Sequence, residues 1–340
     1  MGMAADTVRS DDEHARTFVR PRPEWRYAFR RAYHGFMLHR GIDSAATLGF
    51  FAALTILPAS LSVVSAIAIA QGKEQAADTV LDLAREVLKP DTADLLNEPL
   101  TQLFSIDNPG IALALGLAFS VWSMSSYATA FGRAANSVYE VQEGRRFVKF
   151  RGLMLILSAF LLVAFAAVVV LLLTTTNVAT AIGEAVNIGE PWVAVWSFGR
   201  WPVLAAILTM IIAVLYYYTP NVRHERMRWV STGALFAIVT WGLATAAFGF
   251  YVSTIANYDR AYGWLGGALA LLIWLYISNL ALVAGIEVDA EFTRLRQLLA
   301  GVEAENTVQL PLRDTARNLI LARRQASDEA GAIEIRQRPK

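Results

Sequence analysis

The stretch Leu153–Leu173, LMLILSAFLLVAFAAVVVLLL, runs for twenty-one residues without a charge. A helix rising about 1.5 Å per residue crosses a hydrocarbon core of about 30 Å with that length. Apolar stretches of similar reach lie on both sides of it. The predicted spans are roughly 45–70, 110–132, 152–175, 196–218, 229–254 and 264–288. The predicted fold class is all-α: a polytopic membrane protein with six transmembrane helices. The bilayer is therefore the solvent in which most of this chain must be understood.

Composition agrees. The 340 residues are 55% hydrophobic and 17% charged, and mean hydropathy is +0.41, which is too apolar for an ordinary soluble enzyme. There is no cysteine, so disulfides, thiolate chemistry and Cys-ligated zinc are excluded. Residues 1–44 are long and polar, without a basic-then-apolar cleavable signal, so the first span is expected to act as an uncleaved anchor.

Lys and Arg set the orientation. The termini and the loops 133–151 and 219–228 carry 25 of them; the segments 71–109, 176–200 and 255–263 carry 5. Positive charge stays in the cytoplasm, so both termini are expected there. The chain then divides into a cytoplasmic segment 1–44, a transmembrane domain 45–290 and a charged, partly disordered tail 291–340. Within the outer segment 71–109, the pieces KEQAADTVLDLAREVLK and NEPLTQLF space apolar residues at about helical period, predicting amphipathic surface helices.

Several residues stand out within this frame. Ser125, Thr129, Arg133 and Asn136 share one face of the second span and form a polar stripe entering from the cytoplasmic side. Such a stripe faces protein or water rather than lipid, and these four are the candidate contacts for an anion or a lipid headgroup. Pro58 interrupts the first span after Thr55, giving either a structural kink or a water-accessible bend. Gly263 and Gly267 have GxxxG spacing, with Gly266 beside them, which suits close helix packing or a hinge. Glu287 and Glu291 share a face at the end of the sixth span while Asp289 points away. Glu287 is the candidate for a structural or gating ion pair, with a cytoplasmic Arg such as Arg133, Arg146, Arg151 or Arg223 as its partner.

The order of motifs resembles the YihY/BrkB family of bacterial inner-membrane proteins. Leu215–Tyr216, Pro220–Asn221, Gly233–Ala234, Trp241, Tyr262–Gly263, Leu265–Gly266, Trp274–Leu275–Tyr276, Gly285 and Glu287 carry the likeness in the last third. Asp43, Ala45–Ala46, Phe50–Phe51, Leu54 and Pro58 carry it in the first span, and Trp122, Ala135–Asn136 and Tyr139 in the second. The resemblance covers about residues 30–295. Two departures are Trp264, where a small residue is usual, and Leu243–Ala244–Thr245, where relatives place ionisable groups.

What the resemblance implies is a role in transport of envelope components; no cofactor is expected, since the sequence has no Gly-rich phosphate cradle. Members of the family have carried a ribonuclease label. This sequence does not support it: the four His residues have no metal-ligand spacing, and HExxH, Walker and GxSxG patterns are missing. The expectation is a transporter or translocator of lipid or another amphipathic anion, with membrane lipids as partners, self-association permitted and no nucleic acid bound. The competing expectation is a membrane scaffold for envelope assembly.

Overall fold

The computed structural model describes residues 24–72, 75–76, 80–82, 108–173, 190–223, 231–254 and 264–338. Among them the chain is helical, with no strand beyond an isolated antiparallel bridge between Val222 and Leu312. The helices are α1 (Glu24–Leu38), α2 (Gly41–Gln71), α3 (Pro109–Val138), α4 (Phe147–Leu173), α5 (Glu190–Tyr218), α6 (Thr232–Thr254), α7 (Trp264–Leu299) and α8 (Ala316–Gln337). Six of them, α2 to α7, are long and apolar enough to cross a membrane.

α2 packs most extensively on α3, α6 on α7, and α7 on α2 and α1, while α3, α4 and α5 follow one another around the other side. The buried core gathers Leu48, Phe131, Met154, Leu215 and Ile286 from five helices. Outward side chains stay apolar, as with Phe50, Leu57, Val163 and Phe198, because lipid rather than water surrounds them.

Small residues decide how closely these helices approach. A Cβ on Gly233 would fall on the Gly285 carbonyl oxygen, and one on Gly285 would meet the Tyr216 hydroxyl and the Ala237 side chain. The α6–α7 crossing therefore brings backbone against backbone. A second close approach sets Gly116 of α3 against Ser62 and the Pro58 carbonyl of α2. At Pro58 itself, the nearby Thr55 hydroxyl donates to Phe51 (2.8 Å) rather than to Leu54, the carbonyl that proline leaves without its usual donor.

The structure departs from the sequence reading at the ends of the spans. α7 does not stop near 288; it continues to Leu299, and its 36 residues reach about 54 Å. Glu287, Asp289 and Glu291 thus lie inside a helix, not at its C-terminus. The region before the first span contains α1, folded against α7. The tail is anchored before it becomes a surface helix. Arg313 and Asp314 bond to Asn221, Arg223 N–H donates to Pro311, and Arg317 N–H donates to Gly144. α8 then has no buried residue. The expected amphipathic helices of 71–109 lie mostly outside the described residues; of that segment, Ala76 is buried against Val64 and Ala68.

Candidate functional site

α1, the C-terminal extension of α7, the loop after α3 and the anchored tail all meet at one end of the bundle, the basic end. Its densest feature is an acid–base cluster on α7. Glu287, Glu291 and Arg294 are each no more than 4% exposed. Spacing of four and seven residues puts all three on one helical face, and that face looks toward α1.

The partners come from distant sequence. His39 Nδ1 lies 3.0 Å from Glu287 Oε1 and its Nε2 lies 4.0 Å from Glu140. Glu291 sits between Arg31 and Arg294, each at 3.1 Å, and Arg294 also approaches Glu140 and donates to the Ala304 carbonyl. None of the arginines expected from the sequence to answer these carboxylates is used. Asp289 faces the other way, toward Gly233 N–H at the start of α6 (3.4 Å), where a helix N-terminus favours negative charge.

Gly35 makes the His39–Glu287 contact geometrically feasible. A Cβ at position 35 would clash with the Glu287 carboxylate, while the His39 ring would stay at ordinary contact distance. The hydrogen bond to Glu287 holds the His39 pKa above its ordinary 6.5; burial opposes this, and the charges of Glu287, Glu140 and Glu291 reinforce it. The raised folded value means that protonated His39 stabilises the fold. That contribution is complete below pH 6.5 and disappears as pH climbs through the raised value. Thermal unfolding in mild detergent is expected to show a melting temperature that falls over this window. His39→Gln should flatten the dependence, and Gly35→Ala should do the same by displacing the Glu287 carboxylate while leaving the helices assembled.

A cavity of about 340 Å³ opens above the cluster, lined by Tyr27, Arg30, Arg31, His34, His39, Glu140 and Glu291 among others. A larger one, about 580 Å³, lies between α5, α7 and the tail and includes Asp289, Arg296 and Tyr217. Both are at the basic end; neither is lined by residues from the middle of a span.

The polar stripe of the second span is divided by the fold. Ser125 is fully buried and its hydroxyl has no partner among the described residues, while Thr129 donates to the Ser125 carbonyl. Asn136 is buried and fixes the loops: its amide donates to Glu143 (3.1 Å) and its oxygen accepts Asn221 N–H (2.7 Å). Arg133 is exposed and lines neither cavity. Arg145, which the sequence reading did not single out as a site, is the buried cation here, paired with Glu143 and capping the Tyr218 and Thr219 carbonyls at the end of α5. Gly263 lies outside the described residues. Gly266 is buried, and Gly267 is exposed with nothing within 4 Å of an added Cβ. Among the described residues no group of three His, Asp or Glu side chains is arranged to hold a metal ion.

A family model described as "Virulence factor BrkB" matches residues 32–307. The chain belongs to the BrkB family. This agrees with the likeness read from its motifs. It is 30% identical over 269 residues to the ribonuclease-like protein YfkH of Bacillus subtilis (strain 168), covering 79% of this chain and 96% of that protein. It is 27% identical to a UPF0761 membrane protein of Laribacter hongkongensis, over 78% of this chain and 60% of the relative. A UPF0761 membrane protein of Aliivibrio salmonicida is 26% identical, with 78% of this chain and 84% of the relative covered. The chain thus spans less than two thirds of the Laribacter relative's length. No solved structure matches it.

His39, Arg31 and Arg294 were not legible as site residues. The partners of His39 and Arg31 lie up to 248 residues away, where no local spacing reaches, whereas the i,i+3 spacing of Glu291 and Arg294 is a local signal that could have marked Arg294. α1 did leave a signal, since Trp25, Phe29, Tyr33 and Met37 recur every fourth residue.

Proposed function

We propose that this BrkB-family protein is a non-enzymatic transporter of the bacterial inner membrane, moving a lipid or another amphipathic anion, with both termini in the cytoplasm. The observation that carries the reading is the buried His39–Glu287–Glu291–Arg294 cluster beneath a cavity edged by Arg30, Arg31 and His34. Burying ions costs several kcal/mol each even when they are paired, and apolar side chains would stabilise the bundle as well or better. Ionisable residues retained at a membrane face and below an open cavity suit a site that receives an anionic headgroup and couples it to helix contacts. The headgroup contact is accordingly placed at Arg30 and Arg31 rather than at Arg133, with Glu287 and His39 as the lock.

The orientation rests on the 25 to 5 division of Lys and Arg. Lipids are the expected partners, and the exposed face of α6 around Leu243, Gly249 and Phe250 suits lipid or a second copy equally. Basic side chains at this end are accounted for by anionic lipid, without nucleic acid. The ribonuclease-like name of the Bacillus relative is not carried over.

Proteoliposomes containing fluorescent phosphatidylglycerol test the proposal through quenching of the outer leaflet. Wild type is expected to expose inner-leaflet lipid faster than protein-free vesicles, and Arg30→Ala with Arg31→Ala to lose most of that gain. Equal rates in wild-type and empty vesicles, for this lipid and for organic anions alike, would overturn it.

A scaffold role is the second reading, favoured by α8, which buries nothing and presents Leu319, Leu321 and Ile335 to solvent. Deleting 316–338 should abolish a scaffold function in cells and leave vesicle transport intact.

A further inference from the structure

We infer that α1 is an interfacial helix that grips anionic phospholipid of the leaflet at the basic end. Trp25, Phe29, Tyr33 and Met37 follow one another at i, i+4 along a single row, and they are 55%, 37%, 63% and 48% exposed. Arg26, Arg30 and His34 form the next row, one residue on, and are exposed too. An aromatic row beside a basic row is the pattern of a helix lying in the headgroup region, with rings at the acyl boundary and guanidinium groups on phosphate.

Packing on the bundle sets where α1 meets the bilayer, and the headgroup contacts set how deeply its outer row enters. The third face of α1 is held to the bundle: Ala28 and Ala32 are buried and Arg31 pairs with Glu291, while Phe29, the least exposed of the aromatic row, meets the Phe292 ring edge-on at 5.4 Å. Phe29 also meets Phe236 at 5.8 Å. Phe236 sits in the first turns of α6, next to Leu235 and Val239, which are more than half exposed and belong to the apolar belt of the spans. The aromatic row of α1 therefore continues that belt at the level where a membrane-crossing helix begins. In water, four large side chains in a line would be an exposed apolar patch that nothing among the described residues covers; at this depth the bilayer covers it, and anionic headgroups complement the adjoining arginines. The inference does not depend on whether the protein transports anything.

The absence of cysteine makes introduced thiols unique. Full-length Tyr33→Cys, Met37→Cys and His34→Cys variants, each carrying a nitroxide, would be placed in nanodiscs of phosphatidylglycerol and phosphatidylcholine. Power saturation then compares contact with oxygen, which concentrates in lipid, and with a nickel chelate, which stays in water. The expected result is oxygen-dominated relaxation at 33 and 37 and nickel-dominated relaxation at 34. Arg26→Gln with Arg30→Gln, or discs of phosphatidylcholine alone, should shift 33 and 37 toward nickel. Nickel access at 33 and 37 equal to that at 34 would overturn the inference. So would protection from both reagents, or spin–spin broadening, since a protein partner or a second copy would then cover the row. Unchanged depth in the arginine variant and in phosphatidylcholine discs would overturn the anionic contact.

Discussion

Arg294→Met is expected to lower the stability of the folded bundle by about 3–5 kcal/mol, the range for removing one member of a buried ion pair. Arg294 is 2% exposed and serves Glu291, Glu140 and the Ala304 carbonyl together. Its loss leaves Glu291, 4% exposed, with Arg31 alone, and leaves the carbonyl without its donor. Methionine matches the length of the side chain, so the penalty comes from desolvated charge and not from a cavity. Adding Glu291→Leu should recover part of the loss, because Arg31 is one-third exposed and can turn to water. Unfolding in bicelles or mild detergent measures both. A single variant as stable as wild type, or a double variant worse than the single, would contradict the assignment. Lys149→Met, which breaks an exposed pair with Asp314, is the control and should change little.

Gly233→Val is expected to cost about 1–3 kcal/mol or more, the usual range for overpacking. The new Cβ has no room, since the atoms it meets are the Gly285 carbonyl and the Asp289 backbone, which cannot rotate away as a side chain would. α6 and α7 must separate to admit it. Gly242→Ala is the matched test on the same helix. Nothing lies within 4 Å of its Cβ, and alanine is the better helix former, so stability should hold or rise. Loss of folded protein in both, or in neither, would show that the α6–α7 approach is not what restricts position 233.

The helical bundle was legible because each span declares itself locally. Twenty apolar residues in a row leave the backbone no route through lipid except a helix, and Leu153–Leu173 needs no neighbour to make the case. The small residues were only half legible. GxxxG spacing singled out Gly263 and Gly267, yet Gly267 meets nothing within 4 Å, whereas Gly233 and Gly285, in different helices, touch each other. Spacing along one chain cannot say which face a helix will turn to its neighbour. The candidate site was less legible still. Arg133 and Asn136 shared a helical face on paper, but one is exposed and the other is locked by Glu143 and Asn221.

By itself, then, the sequence determined the six spans, the basic end and the family, because hydropathy, charge bias and motif order are properties of contiguous residues. Only the tertiary structure decided that His39 reaches Glu287, that α1 closes over α7, and that the tail clasps the loops at Asn221. Those facts depend on which faces of separate helices meet. That choice is made by backbone approach and by pairing of buried charge over hundreds of residues, for which no local pattern exists.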